Sequence, residues 1–96
     1  MVVHWTVLAV QDLQYIHTYI AKDAPIVAGN VVRKLYNSVH VQVATVPFSA
    51  REGRVPGTRE FVVPRLPYIV VYHVVGDTVD ILRILHSAMK WPDSFD

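Results

Sequence analysis

The sequence predicts a small α+β domain in which a helical hairpin packs on one face of an antiparallel sheet. Apolar residues recur with helical spacing through the N-terminal half, and three runs rich in β-branched residues follow a loop that contains proline and glycine. The turns between these runs are short, which requires antiparallel neighbours. The predicted order is therefore β-α-α-β-β-β, and the length predicts a single domain over residues 1–96.

The first strand and the first helix are predicted from the N-terminal segment. Residues Val2 to Val7 are apolar and mostly β-branched, which is typical of a strand. Thr6 is a residue type that caps helices. The apolar residues that follow recur at steps of four, three and four and so occupy one helical face. They are Ala9, Leu13, Ile16 and Ile20.

A second helix is predicted to begin at Pro25, with Asp23 or Ala24 as its cap. Its apolar residues keep helical spacing as far as Pro47, which ends the helix. They are Ala28, Val32, Leu35, Val39, Val43 and Val46. Because the connection between the two helices is only about three residues long, we expect an antiparallel helical hairpin.

Three strands are predicted after the loop at residues 47–58. They are Arg59–Val63, Tyr68–Val74 and Val79–Leu85. The helical hairpin would cover one face of their sheet, and the other face would lie partly open as a concave surface for a partner. The tail from His86 to Asp96 carries no pattern that assigns it a structure.

Composition points to a protein that is covered by a partner. The hydrophobic fraction is 52% and the charged fraction 18%, against ordinary values of ~45–50% and ~25%. A domain of this balance leaves apolar surface uncovered, and such surface usually meets another protein. The net charge of +1 gives only a weak electrostatic drive toward nucleic acid, unless the charges are segregated on the surface.

Several classes of protein are excluded or disfavoured. The absence of cysteine excludes disulfides and thiolate metal sites. His4, His17 and His40 lack ligand spacing, so we expect no metal, and nothing indicates a cofactor. No apolar stretch approaches the ~18 residues of a membrane span, and the N-terminus lacks the basic region of a signal peptide. We therefore expect a cytoplasmic protein without membrane contact.

Short motifs follow one another in a fixed order along the chain. They are Asp12-Leu13, Ile16, Tyr19-Ile20, Pro25, Ala28, Pro47, Gly53-Arg54, Gly57-Thr58-Arg59-Glu60, Pro67-Tyr68-Ile69-Val70-Val71-Tyr72, Ile81-Leu82-Arg83-Ile84-Leu85-His86 and Lys90-Trp91-Pro92. In their order and spacing, from Trp5 to Trp91, the chain resembles the RelE/ParE superfamily of toxins from type II toxin–antitoxin systems, and the ParE branch in particular. The resemblance implies the RelE/ParE-like fold.

The resemblance also implies two alternative activities. RelE-like members cut messenger RNA in the ribosomal A site, whereas ParE-like members are reported as inhibitors of DNA gyrase. Both are neutralised by a cognate antitoxin whose C-terminal segment wraps the toxin. Operator DNA would be reached only indirectly, through the antitoxin.

The residues favour the ParE branch. Cleavage of RNA needs a base, an acid and cations that stabilise the phosphorane. The RelE-like branch has two basic residues on the second strand, an arginine after the Gly-Tyr that opens the third, and an arginine and a tyrosine after the last. The corresponding positions here are Glu60, Val62, Ile69 and, approximately, Met89. We therefore expect a toxin that binds gyrase, with the ribosome and messenger RNA as the alternative target.

Six residues are candidate contacts with antitoxin or target. They are Arg54, Arg59, Arg83, His86, Lys90 and Trp91. In the ribonuclease alternative, His86 would act as general acid or base together with Arg83, Arg59 and Lys90. Simple alternation argues against that cluster, since it places Arg83 on the face of Val79, Ile81 and Leu85, and His86 on the face of Asp80, Leu82 and Ile84.

Three of the candidates also have a structural interpretation. Arg59 would pair with a carboxylate, Arg83 would be a partly buried paired charge, and Arg54 would belong to a solvated loop. If Arg59 and Arg83 are contacts instead, the antitoxin should be acidic where it binds. We expect the antitoxin to lay an amphipathic helix into a groove between hairpin and sheet, and an extended segment along a strand edge.

Overall fold

The structure, a computed structural model, describes residues 1–95. Its elements are β1 (Val2–Trp5), α1 (Val7–Ala21), α2 (Pro25–Ser38), β2 (Arg51–Glu52), β3 (Arg59–Val62), β4 (Tyr68–Val75) and β5 (Thr78–His86). Both helices pack on one face of a five-stranded sheet ordered β1-β5-β4-β3-β2. The predicted α+β architecture, with its helical hairpin against a sheet, is confirmed.

The helix ends follow the predicted capping chemistry. The Thr6 hydroxyl accepts a hydrogen bond from the amide of Ala9 at 3.3 Å, and α1 begins at the next residue after Thr6. Pro25 is the first residue of α2, with Ala24 as its cap. The α-helical geometry does not continue to Pro47, because the chain widens into a π-helical turn at Val39–Val43. Both ends of that turn are buried, so it keeps the apolar face of α2 in the core.

The sheet is mixed rather than antiparallel throughout. Strands β2 to β5 are antiparallel neighbours, but β1 pairs with β5 in parallel from Val2↔Thr78 to Trp5↔Ile81. The prediction of antiparallel neighbours was based on short turns, and it holds only for the strands that short turns connect. The whole helical hairpin separates β1 from the other strands, and a connection of that length allows parallel pairing. The strand β2, inside the segment predicted as a loop, was not predicted.

A β-bulge in β5 reverses the alternation of its side chains. Val71 pairs with Arg83 and Tyr72 with Ile81, so Leu82 has no opposite residue. As a result, Ile81 and Ile84 both belong to the core beneath the helices, whereas Leu85 packs on the opposite face. The predicted grouping of Arg83 with Val79, Ile81 and Leu85 is therefore wrong, and so is the grouping of Ile84 and His86 with Asp80.

The sheet face turned away from the helices, called the outer face below, is partly covered by the chain's own tail. Trp91 is 8% exposed and packs with Ile69, Val71 and Leu85, and Phe95 lies against this cluster. The indole N–H of Trp91 donates a hydrogen bond to the carbonyl of His86 at 3.1 Å, which turns the tail back onto the sheet. The expectation that this face is partly open must be corrected accordingly.

Neither helix within residues 1–95 has the length and apolar character that crossing a bilayer requires.

Candidate functional site

A groove of about 610 Å³ lies between α1 and the second half of β5. Its lining combines apolar, aromatic and charged side chains: Gln11, Asp12, Tyr15, Ile16, Tyr19, Tyr68, Arg83, Ile84, Leu85, His86 and Met89. Helical spacing brings the α1 residues to one side of the helix, next to its buried face. The bulge at Leu82 sets the alternation that turns Ile84 and His86 toward the helix layer. Arg83 and His86, two of the six candidates, both line this groove.

Arg83 is held by a carboxylate inside the groove. Its Nε and Nη2 atoms donate to the two oxygens of Asp12 at 2.7 and 2.9 Å. The hydrogen bond to Asp12 raises the pKa of Arg83 above its ordinary value, and burial opposes this rise. Such a bidentate pair fixes the guanidinium and neutralises its charge. The structural interpretation of Arg83 as a partly buried paired charge fits this geometry.

Aromatic side chains form the mouth of the groove. Tyr15 and Tyr19 stack with their ring centroids 6.3 Å apart, and they are 71% and 62% exposed. Tyr68 is buried beside them and meets His86 edge to face at 5.4 Å. Burial raises the pKa of Tyr68, and the phenols of Tyr19 and Tyr15 raise it further, so the three rings converge. The sequence motifs did not single out Tyr15 and Tyr19 as site residues, although their spacing of four residues beside the apolar face of α1 is a usable signal.

Two other candidates meet on the outer face. The guanidinium carbon of Arg54 lies 3.5 Å from the centre of the Trp91 ring. Glu60, only 3% exposed, accepts the backbone N–H of Arg54 at 2.8 Å and its Nε at 3.4 Å, and it also accepts Nη2 of Arg51 at 3.0 Å. Arg54 is thus a fixed link between the sheet and the tail.

The negative charge of Glu60 holds Arg51 and Arg54 beside it. Burial acts to raise its pKa, but the backbone hydrogen bond from Arg54, the side-chain hydrogen bond from Arg51 and the charges of both arginines outweigh burial. The pKa of Glu60 therefore lies below its ordinary value, and the carboxylate is ionised at neutral pH. A basic residue at this position, as the RelE-like pattern has, would put a third cation beside two arginines.

The remaining two candidates lie apart from the groove. Arg59 donates to the carbonyls of Phe48 and Ala50 at 3.2 and 2.9 Å and lies over the Phe48 ring. Among residues 1–95 the guanidinium of Arg59 does not form the expected ion pair with a carboxylate, and it anchors the loop before β2 through carbonyl oxygens instead. Arg59 lies on β3, two strand spacings or ~10 Å from β5. Lys90 is exposed on the tail. Of the proposed ribonuclease set, only Arg83 and His86 line the groove.

Histidines and carboxylates do not gather into a metal-binding cluster in the described part of the chain. Within residues 1–95, no three histidine, aspartate or glutamate side chains have metal-binding geometry. The nearest arrangement is a cross-strand row in which His4 and His73 contact Asp80 at 3.2 and 2.8 Å. The hydrogen bond from His73, followed by that from His4, lowers the pKa of Asp80.

The family profile described as ParE toxin of type II toxin–antitoxin system, parDE, matches residues 3–91 of the chain. The chain belongs to the ParE toxin family. Its membership makes it a type II toxin of the ParE/RelE superfamily, and the family implies a cognate antitoxin as partner. The predicted resemblance is confirmed.

Individual relatives agree with this family. A toxin candidate of Sinorhizobium fredii, Y4kP, is 39% identical over 90 residues, which cover 94% of this chain and 92% of that protein. Toxin RelE2 of Caulobacter vibrioides is 33% identical over 84 residues, covering 88% and 92%. A chain of the chromosomal ParDE toxin–antitoxin system from P. aeruginosa superposes with a TM-score of 0.81 at 30% identity, covering 90% of this chain and 95% of that one. The ParE-family fold therefore extends over nearly the whole chain.

Proposed function

We propose that this ParE-family toxin arrests growth in the cytoplasm by binding DNA gyrase, and that its cognate antitoxin neutralises it by occupying the groove between α1 and β5. One observation carries the proposal: Arg83, the cation of the groove, is already paired with Asp12. The site is therefore better suited to binding a protein than to breaking a phosphodiester bond.

The cations that RNA cleavage requires can be compared with those that the groove offers. A phosphorane must be stabilised by cations that are free to approach it. Among the described residues that line the groove, Arg83 is the one lysine or arginine, and two of its N–H groups are already bound to a carboxylate. His86 is the one histidine in the described lining, but without a free cation most of the catalytic stabilisation is missing.

The groove has the features of a site for an amphipathic helix. Ile16 and Ile84 supply an apolar floor, and the exposed Tyr15 and Tyr19 form one rim. Tyrosines on the border of an apolar cleft are typical binding hot spots, because they offer a large contact area and a hydrogen-bonding hydroxyl. We infer that apolar residues of the antitoxin enter the floor and that the two tyrosines close over them.

The charge of the antitoxin follows from the same contacts. Because Asp12 neutralises Arg83, the groove does not call for an acidic residue at this point. Arg59 is bound to carbonyl oxygens rather than to a carboxylate, so these hydrogen bonds leave its positive charge uncompensated. An acidic antitoxin segment is therefore expected near Arg59 and not in the groove itself.

The proposal is tested by two measurements on the purified chain and on cells that express it. Inhibition of DNA supercoiling by purified gyrase, relieved by the cognate antitoxin, is the expected result. Induction should raise the DNA-damage response without producing new RNA ends. Gyrase that supercoils at its full rate with excess toxin present would contradict the proposed target.

The antitoxin site has its own test. The double change Tyr15→Ala/Tyr19→Ala should weaken antitoxin binding at least tenfold, because it removes both exposed rings of the rim. Tyr36→Ala removes an exposed tyrosine on α2 outside the groove and is the matched control. Equal affinities of the wild-type chain and the double variant, measured by calorimetry, would count against the groove.

A ribosome-dependent endoribonuclease is the second candidate, because a histidine lies in the groove. His86 meets the ring of Tyr68. It lies two residues after Ile84, whose backbone N–H donates to Asp12. Sequencing of RNA ends after induction separates the two functions. Cuts at defined codon positions that disappear in His86→Gln would favour the enzyme. Growth arrest that persists in His86→Gln without such cuts would favour gyrase binding.

A further inference from the structure

One side of α2 forms a polar and cationic surface that the groove does not include. Its residues line a shallow depression of about 490 Å³: Asn30, Arg33, Lys34, Asn37, Ser38, Val41 and Gln42. They recur at alternating steps of three and one, a repeat of four residues, so they lie along one side of the helix and of the turn that extends it. No residue of this group also lines the groove between α1 and β5. We call this group the α2 face.

Carboxylates are absent from the chain segments that build the α2 face. The sequence has no aspartate or glutamate between Asp23 and Glu52, and none between Glu60 and Asp77. The two segments meet where Nζ of Lys34 donates to the carbonyl of Pro64 at 2.6 Å. The next residue, Arg65, is exposed, so a third cation follows directly on the residue that Lys34 contacts.

Three of the protein's carboxylates are bound to basic side chains that lie outside the α2 face. Asp12 is bound to Arg83, Glu60 to Arg51 and Arg54, and Asp80 to two histidines. The overall charge of +1 conceals this arrangement. Among residues 1–95, none of these ion pairs involves Arg33, Lys34 or Arg65, so the charges of these three side chains are available to an anionic ligand.

The α2 face also has hydrogen-bond donors to spare. Arg33 uses Nη1 in a hydrogen bond to the Asn30 side chain at 3.0 Å, which leaves other guanidinium N–H groups for an anion. Lys34 uses one of its three ammonium donors on Pro64. The amides of Asn37 and Gln42 are exposed on the same side. Arginine, lysine, asparagine, glutamine and serine are the side chains that contact phosphate and sugar in DNA complexes.

We propose that the α2 face binds the phosphodiester backbone of double-stranded DNA without reading its sequence. An acidic protein is the less suitable ligand, since protein interfaces depend on buried aromatic and apolar anchors and Val41 is the one apolar residue in this lining. A single strand is also less suitable, because no aromatic ring lines the depression to stack on bases. The toxin would then contact DNA directly, beyond the contact expected through its antitoxin.

Binding of the full-length chain to a fluorescent DNA duplex of arbitrary sequence, followed by anisotropy over a series of salt concentrations, tests the proposal. Three phosphate contacts predict that log Kobs falls against log[salt] with a slope of about −2.7. The change Arg33→Gln/Lys34→Gln should make this slope shallower by about 1.8, since two contacts are lost. The swap Arg33→Lys/Lys34→Arg keeps both charges and should keep the slope.

Lys22→Gln is the matched control, because it removes one exposed cation at the end of α1 and should leave the slope unchanged. Thermal melts of all variants ensure that lost binding is not lost folding. The proposal is overturned if the wild-type chain does not bind duplex DNA at low salt, or if Arg33→Gln/Lys34→Gln binds with the wild-type slope. Tighter binding of polyglutamate or of duplex RNA than of duplex DNA would overturn it as well.

Discussion

Asp12 and Arg83 join the first helix to the last strand through two parallel hydrogen bonds of 2.9 and 2.7 Å. The same carboxylate accepts the backbone N–H of Ile84 at 2.9 Å. Within residues 1–95, this part of β5 has no neighbouring strand on that side, because β1 pairs with β5 only as far as Ile81. An edge N–H otherwise depends on water or on another chain. Asp12 therefore neutralises Arg83 and also protects a sheet edge.

Asp12→Ala is expected to lower the free energy of unfolding by about 2 kcal/mol, because it leaves Arg83 without a counter-charge and the Ile84 N–H without an acceptor. Urea titrations measure the loss. In a double-mutant cycle with Arg83→Met, removal of both partners should cost less than the sum of the single changes, with a coupling of about 1 kcal/mol. Strict additivity would mean that the pair contributes no interaction to stability.

The parts of the fold that depend on local chemistry could be predicted from the sequence. Thr6 and Pro25 set the helix starts, and the β-branched runs gave three strands close to their observed bounds. The parallel pairing of β1 and the bulge at Leu82 could not be predicted, because both depend on which strand lies alongside, and period-two alternation carries no sign of an extra residue.

The candidate site was predicted only in part, for a similar reason. Motif order singled out Arg83 and His86, which both line the groove. It gave no indication of Asp12 as the partner of Arg83, because the two are 71 positions apart in the sequence. The covering of the outer face by Trp91 was missed because the tail has no periodicity, and its position depends on a cation–aromatic contact with Arg54.

Two glycines should respond in opposite directions to the same change. Gly29 lies inside α2, and a methyl group added there would have no described neighbour within 4 Å outside its own helix. Gly29→Ala should therefore stabilise the fold by about 0.5–1 kcal/mol. At Gly53 a methyl group would overlap the hydroxyl of Thr58, which is buried and donates to the Val55 carbonyl. Gly53→Ala should destabilise by about 1–3 kcal/mol. Thermal melts of the two variants check both expected effects on stability. A loss of stability in Gly29→Ala would contradict the expected stabilisation at that position.

Arg65 adopts a left-handed backbone conformation with a φ of +65° in the turn between β3 and β4. The turn is closed by the N–H of Leu66 on the carbonyl of Val63, with Pro64 before Arg65, which is the pattern of a type II turn that favours glycine at this position. Arg65→Gly should raise stability by about 1 kcal/mol, or the melting temperature by about 4–8 °C. Arg65→Ala keeps the strained Cβ and should bring no such gain, and equal effects of the two changes would exclude backbone strain as the cause.

Glu60 should make the stability of the fold depend on pH in the acid range. Its pKa in the folded state lies below the ordinary value of 4.5, because hydrogen bonds and charges from Arg54 and Arg51 outweigh burial. The stability that this carboxylate contributes is therefore complete above about pH 4.5 and is lost as the pH falls through the lowered pKa. Glu60→Gln should be less stable than wild type at pH 7, and the difference should shrink toward pH 3.

Glu52→Gln is the matched control, since Glu52 is an exposed carboxylate on the neighbouring strand β2. It should follow the wild-type curve, including the acid loss that Asp80 contributes through its own lowered pKa. Urea titrations of the three proteins at several pH values between about 3 and 7 separate the contribution of Glu60 from that shared background. A difference between wild type and Glu60→Gln that stays constant over this range would mean that the charge of Glu60 does not hold Arg51 and Arg54, and that its effect on stability comes from packing alone.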